Sequence, residues 1–136
     1  MTDKELIAKK LALIETCVHQ LRELARPEAI ATDVREERFV EHTLQIAIQA
    51  ALDVASHIVS DERLGEPRTN RELFDLLERR AWVTPALAAT MRRMVGFRNI
   101  LVHGYEVVDV GIVVEIVERG LDDLIAFVAA IRARLS

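Results

Sequence analysis

The stretch Asp33–Ser60 contains neither glycine nor proline, and its apolar residues recur at steps of three and four. This spacing places them along one side of an α-helix, because a helix turns once every ~3.6 residues. Asp33, followed three residues later by Glu36, has the spacing of a helix cap. The apolar stripe consists of Val40, Leu44, Ala47, Ala51, Ala55 and Ile58. A long helix with such a stripe requires other elements to cover it, and this requirement constrains the fold most.

The rest of the chain shows the same helical spacing. The predicted further helices span residues 2 to about 26, 69 to about 80, 84 to about 105, and 109–135. Pro27 ends the first of them, because the residue before a proline is displaced from the helical region. The β-branched run at 107–114 favours a strand by propensity, but the apolar spacing continues beyond it and predicts a helix capped by Asp109. We therefore predict an all-α up-and-down bundle of four long helices plus one short helix, with residues 1–136 as a single domain.

The composition indicates a protein rich in apolar residues but without a membrane-spanning segment. Hydrophobic residues make up 51% of the chain and the mean hydropathy is +0.15, yet no run of about 18 apolar residues can cross a membrane. The single cysteine, Cys17, cannot form an internal disulfide, and the N-terminus lacks a secretory signal, so we expect a cytoplasmic location. So much apolar surface on a small helical chain favours a symmetric homodimer.

The charges are distributed unevenly along the chain. The formal net charge is −4, which argues against a nucleic-acid ligand for the molecule as a whole. Residues 63–105, however, hold eight basic and four acidic side chains. A local positive field can attract phosphates even when the whole molecule is acidic, so this segment favours an anionic ligand.

The segment 91–105 places one charged residue where an apolar one belongs. Its helical stripe is formed by Leu87, Met91, Met94, Arg98, Leu101 and Tyr105. A buried arginine is costly unless it is paired, so Arg98 implies a partner, a ligand or a polar interface. The long second helix carries a second stripe that is polar but almost uncharged, made of His42, Gln45, Gln49, Asp53 and Ser56. This stripe faces a water-filled cleft, a partner subunit or bulk solvent.

The side chains near Arg98 suffice for metal-independent cleavage of RNA. A histidine has an ordinary pKa of about 6.5, so His103 suits proton transfer near neutrality. The planar fork of Arg98 suits a phosphate, and Asn99 can orient either the phosphate or the imidazole. Residues five apart on a straight helix are about 140° apart in azimuth and about 7.5 Å apart along the axis. Arg98 and His103 therefore meet only if the helix unwinds near Gly104 or if a second copy completes the site.

The pattern Arg98-Asn99, His103 and Tyr105 resembles the R-x4-H-x-Y signature of HepT-like toxins, a branch of the HEPN ribonuclease superfamily. The similarity extends from about Arg35 to Ile131. It implies a helical dimer whose two motifs line one cleft and cut RNA, with Arg98, Asn99 and His103 as catalytic residues. It also implies that Tyr105 is adenylylated by a partner antitoxin, an MntA-type minimal nucleotidyltransferase, which silences the toxin. Gln49 and Asp53 are candidates for lining the cleft.

Other interpretations of these residues remain open. An arginine and a histidine five residues apart also occur for structural reasons alone. In one alternative, the chain is a non-catalytic helical partner that binds nucleotide or substrate for a nucleotidyltransferase. In another, it is a helical bundle with only an assembly role. Asp53 and His57 have the spacing of a metal half-site, but no second pair matches them, so we predict no metal and no cofactor.

Overall fold

The computed structural model describes residues 3–103 and 108–136, and these residues form helices joined by loops. The helices are α1 (Lys4–Leu24), α2 (Val34–Asp61), α3 (Asn70–Arg79), α4 (Pro85–His103), α5 (Val110–Glu115) and α6 (Leu121–Leu135). A π-helical segment, Ile116–Gly120, joins α5 to α6 without a break, so these three make one final helix. The predicted all-α bundle is confirmed, with α3 as the short helix.

Helix α2 lies at the centre of the bundle. It packs against α1, α3, α4 and α6, while α1 and α4 each also contact α6. Every member of its predicted apolar stripe is buried. Phe74 of α3 meets Phe127 of α6 edge to face in the core, with ring centroids 6.0 Å apart. Among residues 3–103 and 108–136, no helix combines the length and apolar content that a membrane span needs.

The first helix departs from its predicted ends. Thr2, the predicted first residue of this helix, lies outside the described residues. The carboxylate of Asp3 accepts a hydrogen bond from the Leu6 amide at 3.1 Å and caps the helix. The helix ends at Leu24 rather than near Arg26. Pro27 opens a turn of 3-10 helix that follows the break. Arg26, directly before Pro27, lies outside the helical region as the proline requires. Ala25 is also extended, so the helix ends two residues before the predicted end.

Helix α4 is fixed at its start by the joint that precedes it. Thr84 accepts a hydrogen bond from the Leu87 amide at 3.2 Å, as a residue that caps the start of a helix does. Trp82 is buried in the joint between α3 and α4, and the guanidinium of Arg134 lies 4.9 Å from the centre of its ring. These contacts tie the start of α4 to the end of the final helix, so the direction in which α4 presents its residues is well defined.

The final helix follows its predicted cap but contains a feature that was not predicted. Asp109 accepts from the Gly111 amide at 2.8 Å, which confirms the cap. The segment Ile116–Gly120 then widens into a π-helix. A side chain at Gly120 would meet Ile116 Cγ2 at 3.2 Å and Met94 Cε at 3.5 Å. The tighter of these two distances is to Ile116 within the same segment, while the distance to Met94 of α4 is an ordinary van der Waals contact.

Candidate functional site

Arg98 lies on the side of α4 that faces α2, and it is held by neutral groups. Its Nη2 donates to Gln49 Oε1 of α2, and its Nη1 donates to Asn99 Oδ1 at 3.1 Å. Its Nε is buried and has no hydrogen-bond partner among the described residues. Arg98 therefore has the polar partners that its position in an apolar stripe requires, and both partners are uncharged amides. Its positive charge is thus oriented by these contacts without being neutralised by them.

Gln49 is in turn held by a carboxylate. Gln49 Nε2 donates to Asp53 Oδ1 at 2.8 Å, and Asp53 Oδ2 accepts from Lys10 Nζ of α1 at 3.1 Å. A continuous series of hydrogen bonds therefore runs from Lys10 through Asp53 and Gln49 to Arg98. We call this series the α1–α2–α4 relay. The two predicted cleft residues are parts of it, and Lys10, which belongs to the charged face of the first helix, was not singled out from the sequence.

His103 and Arg98 belong to one uninterrupted helix. Helix α4 continues through His103, so helix geometry places the two side chains about 140° apart in azimuth. Up to His103 the helix does not unwind, and within one chain it directs these two residues to different sides. His103 is exposed, whereas Arg98 is partly buried. The candidate modification site, Tyr105, and Gly104 lie outside the described residues.

Apolar side chains next to the motif are exposed. Ile100 and Val102 of α4 keep 43% and 42% of their surface accessible, and they lie between Arg98 and His103 in the sequence. Isolated apolar residues are common on protein surfaces, but these two both lie within the six residues from Arg98 to His103. This part of α4 is therefore suited to contact another macromolecule.

The polar stripe of α2 borders an open hollow of about 520 Å³, whose lining includes Phe39, Glu41, Gln45 and Leu101. Glu41 Oε2 is buried there without a hydrogen-bond partner among the described residues. Burial, with the neighbouring Glu37 carboxyl as a further cause, raises the pKa of Glu41 to about 7. Glu41 was not identified from the sequence, although two glutamates four residues apart on one helix indicate mutual repulsion.

Other polar and reactive side chains of the chain are paired or buried within the fold. His57 lies 2.9 Å from Asp61, while Asp53 belongs to the relay, so the two do not share a ligand site. No group of three histidine, cysteine or acidic side chains within the described parts of the chain is placed to hold a metal ion. Arg92 forms an ion pair with Asp75 at 2.7 Å. Cys17 is buried, and burial raises the pKa of its thiol, so it serves as a packed side chain.

Comparison with known proteins gives consistent matches. A family model described as Ribonuclease HepT-like matches residues 14–131. The mRNA nuclease HepT of Shewanella oneidensis is 32% identical over 130 residues, which cover 95% of this chain and 98% of that protein. The tRNA nuclease HepT of Aphanizomenon flos-aquae is 38% identical over 74 residues, 54% of this chain and 50% of that protein.

The solved structures agree with the sequence relatives. The tri-AMPylated HEPN toxin of Shewanella oneidensis, solved in complex with an MNT antitoxin, is similar to this chain with a TM-score of 0.89 and 32% identity. The match covers 98% of this chain and 99% of that one. It therefore extends over the whole bundle, including the helices that carry Gln49 and Arg98.

Proposed function

This chain belongs to the HepT-like ribonuclease family, and from that premise we propose that it is the toxin of a HEPN/MNT toxin–antitoxin pair. It acts as a metal-independent endoribonuclease at a cleft between two copies of the chain. An MntA-type nucleotidyltransferase neutralises it by adenylylation of Tyr105. The relatives support this proposal, since two of them are named as nucleases and one is an AMPylated toxin bound to its antitoxin.

The state of Arg98 is the single observation that carries the catalytic proposal. Within residues 3–103 and 108–136, its buried Nε has no acceptor, and its Nη1 and Nη2 donate to the amide oxygens of Asn99 and Gln49. Desolvating a guanidinium without a counter-charge is costly, so such an arrangement is typical of a site that receives an anion. A phosphate oxygen accepts strongly from Arg, and RNA supplies one at every nucleotide. Arg98 is therefore the phosphate-binding residue.

The side chains of His103 and Arg98 support the following reaction at the RNA phosphodiester bond. His103 removes the proton from a ribose 2′-hydroxyl, and the resulting oxygen attacks the adjacent phosphorus. The bond from phosphorus to the 5′-oxygen breaks, that oxygen takes up a proton from solvent water, and His103 returns its proton to solvent. Arg98 stabilises the negative charge that accumulates on the phosphate oxygens during this exchange. The products carry a 2′,3′-cyclic phosphate and a 5′-hydroxyl, and no external reactant is needed for this step.

A second copy of the chain supplies the missing half of the site. Because Arg98 and His103 diverge on α4, we place Arg98 of one copy and His103 of the other on the same phosphate. Ile100 and Val102 lie between these two residues in the sequence and are exposed, so in the proposed dimer they are available for apolar contacts between the copies. Asn99, which contacts Arg98 at 3.1 Å, orients the guanidinium toward the cleft.

Adenylylation of Tyr105 is proposed from the motif and from the AMPylated relative. Tyr105 follows His103 by two residues, so an attached AMP adds bulk and phosphate charge close to the catalytic histidine. Negative charge there repels RNA and competes for Arg98. The modified protein is therefore unable to bind its substrate.

Production of the chain with and without an MntA-type nucleotidyltransferase tests both parts of this proposal. We expect protein made alone to cut RNA in the presence of EDTA and to leave cyclic phosphate ends. Protein made with the nucleotidyltransferase and ATP should carry AMP mass on the tryptic peptide 99–119, which contains Tyr105, and should leave RNA intact. Tyr105→Phe is the control, expected to escape modification and to retain cleavage.

Two outcomes of this experiment contradict the proposal. Intact RNA with the unmodified protein, together with a stable complex with the nucleotidyltransferase, identifies the chain as a non-catalytic binding partner. Cleavage that disappears in EDTA and returns with added Mg²⁺ shows instead that the reaction depends on a metal.

A further inference from the structure

We infer that Asp53 and Lys10 are positioning residues for Arg98, acting through the amide of Gln49. This inference deepens the proposed function and rests on it. Its basis is the α1–α2–α4 relay, in which Lys10 binds Asp53, Asp53 binds Gln49 Nε2, and Gln49 Oε1 binds Arg98. The relay joins three helices and ends at the phosphate-binding side chain.

Asp53 determines which end of the Gln49 amide faces the arginine. A carboxylate only accepts hydrogen bonds, so the NH₂ group of Gln49 must point toward Asp53 and its oxygen must point toward Arg98. If position 53 also offered an N–H donor, the amide could rotate by half a turn. Its NH₂ group would then face the guanidinium, where two donors repel each other. Arg98 offers only donors and Asp53 offers only acceptors, so both require the same orientation of the Gln49 amide, and Asp53 stabilises that orientation.

The relay also keeps negative charge away from Arg98. An aspartate in direct contact with the guanidinium would compete with phosphate for the same donors. Here the uncharged Gln49 separates Asp53 from Arg98, and Lys10 balances the carboxylate at 3.1 Å. The side chains of Lys10 and Asp53 are 35% and 38% exposed, so the pair is only partly screened by solvent. Arg98 is held in place and keeps its full charge for the substrate.

The substitution Asp53→Asn removes this control while keeping the size of the side chain. We expect kcat for RNA cleavage to fall by about tenfold, with a smaller change in KM, because a misdirected guanidinium weakens transition-state contacts more than binding. Lys10→Met is expected to lower kcat in the same direction but less. Asp61→Asn is the matched control, since Asp61 lies on the same helix and forms one ion pair, with His57. It should leave kcat unchanged.

The double substitution Gln49→Glu with Asp53→Asn tests the placement of charge separately. An asparagine at 53 can donate to a glutamate at 49, so the hydrogen bonds from Lys10 to Arg98 remain complete while a carboxylate now touches the guanidinium. We expect KM for RNA to rise by about tenfold relative to wild type, because phosphate must displace a charged competitor. An unchanged KM would show that Gln49 does not insulate Arg98, and would overturn this part of the inference.

A spectroscopic measurement keeps the inference separate from the nuclease proposal. In ¹⁵N-labelled protein free of AMP, the Gln49 side-chain amide and the Arg98 guanidinium should give signals that shift in Asp53→Asn and not in Asp61→Asn. If wild type fails to cut RNA, the proposed function is lost, while these signals still decide whether the relay orients Arg98. Equal kcat values for Asp53→Asn and Asp61→Asn in an active protein, or unshifted signals, would refute the inference. Melting temperatures establish that both variants are folded.

Discussion

Replacing His103 by alanine is expected to slow RNA cleavage by a factor of about 10²–10⁴, the range that proton transfer by a positioned side chain supplies. The side chain is exposed, so the melting temperature should stay close to that of wild type. The measurement is a single-turnover rate on a labelled RNA, because this rate reports the chemical step without product release.

His19→Ala is the appropriate control for this substitution. His19 is an exposed histidine on α1 and is far from the motif in the sequence, so its removal changes the composition in the same way. The control is expected to cleave at the wild-type rate. If His103→Ala and His19→Ala cleave equally fast, His103 takes no part in the reaction, and the catalytic interpretation of the motif is wrong.

Arg98→Ala is expected to reduce cleavage by about 10²–10³-fold, the effect of removing one donor group that stabilises charge in a transition state. Arg98→Lys should recover only a small part of the loss. A lysine retains the charge but lacks the planar fork, and it cannot donate to Gln49 and Asn99 in the same geometry. The paired variants therefore distinguish a need for oriented donors from a need for positive charge alone.

Arg93→Ala provides the control on the same helix. Arg93 is exposed and donates to Thr90 at 3.2 Å, so its loss removes one charge from α4 without touching the relay. Weaker RNA binding that is equal for Arg93→Ala and Arg98→Ala would indicate a general electrostatic effect. Such a result would remove the specific role assigned to Arg98.

Much of the fold followed from periodicity, because burying an apolar stripe is the strongest constraint on a helix. Central α2 and the final helix both agree with that spacing, even where β-branched residues at 110–114 favoured a strand. The π-helical segment Ile116–Gly120 could not be predicted, since the apolar spacing of the sequence is the same on either side of it. The early end of α1 likewise reflects local backbone geometry that composition does not reveal.

The site was predicted less completely than the fold. The position of Arg98 in an apolar stripe implied a partner, a ligand or a polar interface, but the uncharged stripe of α2 was not connected with Arg98 from the sequence. The sequence did not identify Gln49 as the partner, because several amides and hydroxyls share that face. Lys10 was missed because a lysine on the charged face of a helix has the same pattern whether it is solvated or paired. Its role depends on the packing of α1 against α2.

The claim that two copies share one site is tested most directly by combining two inactive chains. An Arg98→Ala copy and a His103→Ala copy, carrying different affinity tags, are produced together, and the mixed dimer is purified through both tags. If Arg98 of one copy works with His103 of the other, one of the two sites is intact and the mixed dimer should cleave RNA at about half the wild-type rate. If the mixed dimer forms but remains as inactive as either parent, the two copies do not combine Arg98 and His103 in one site, and the central claim is contradicted.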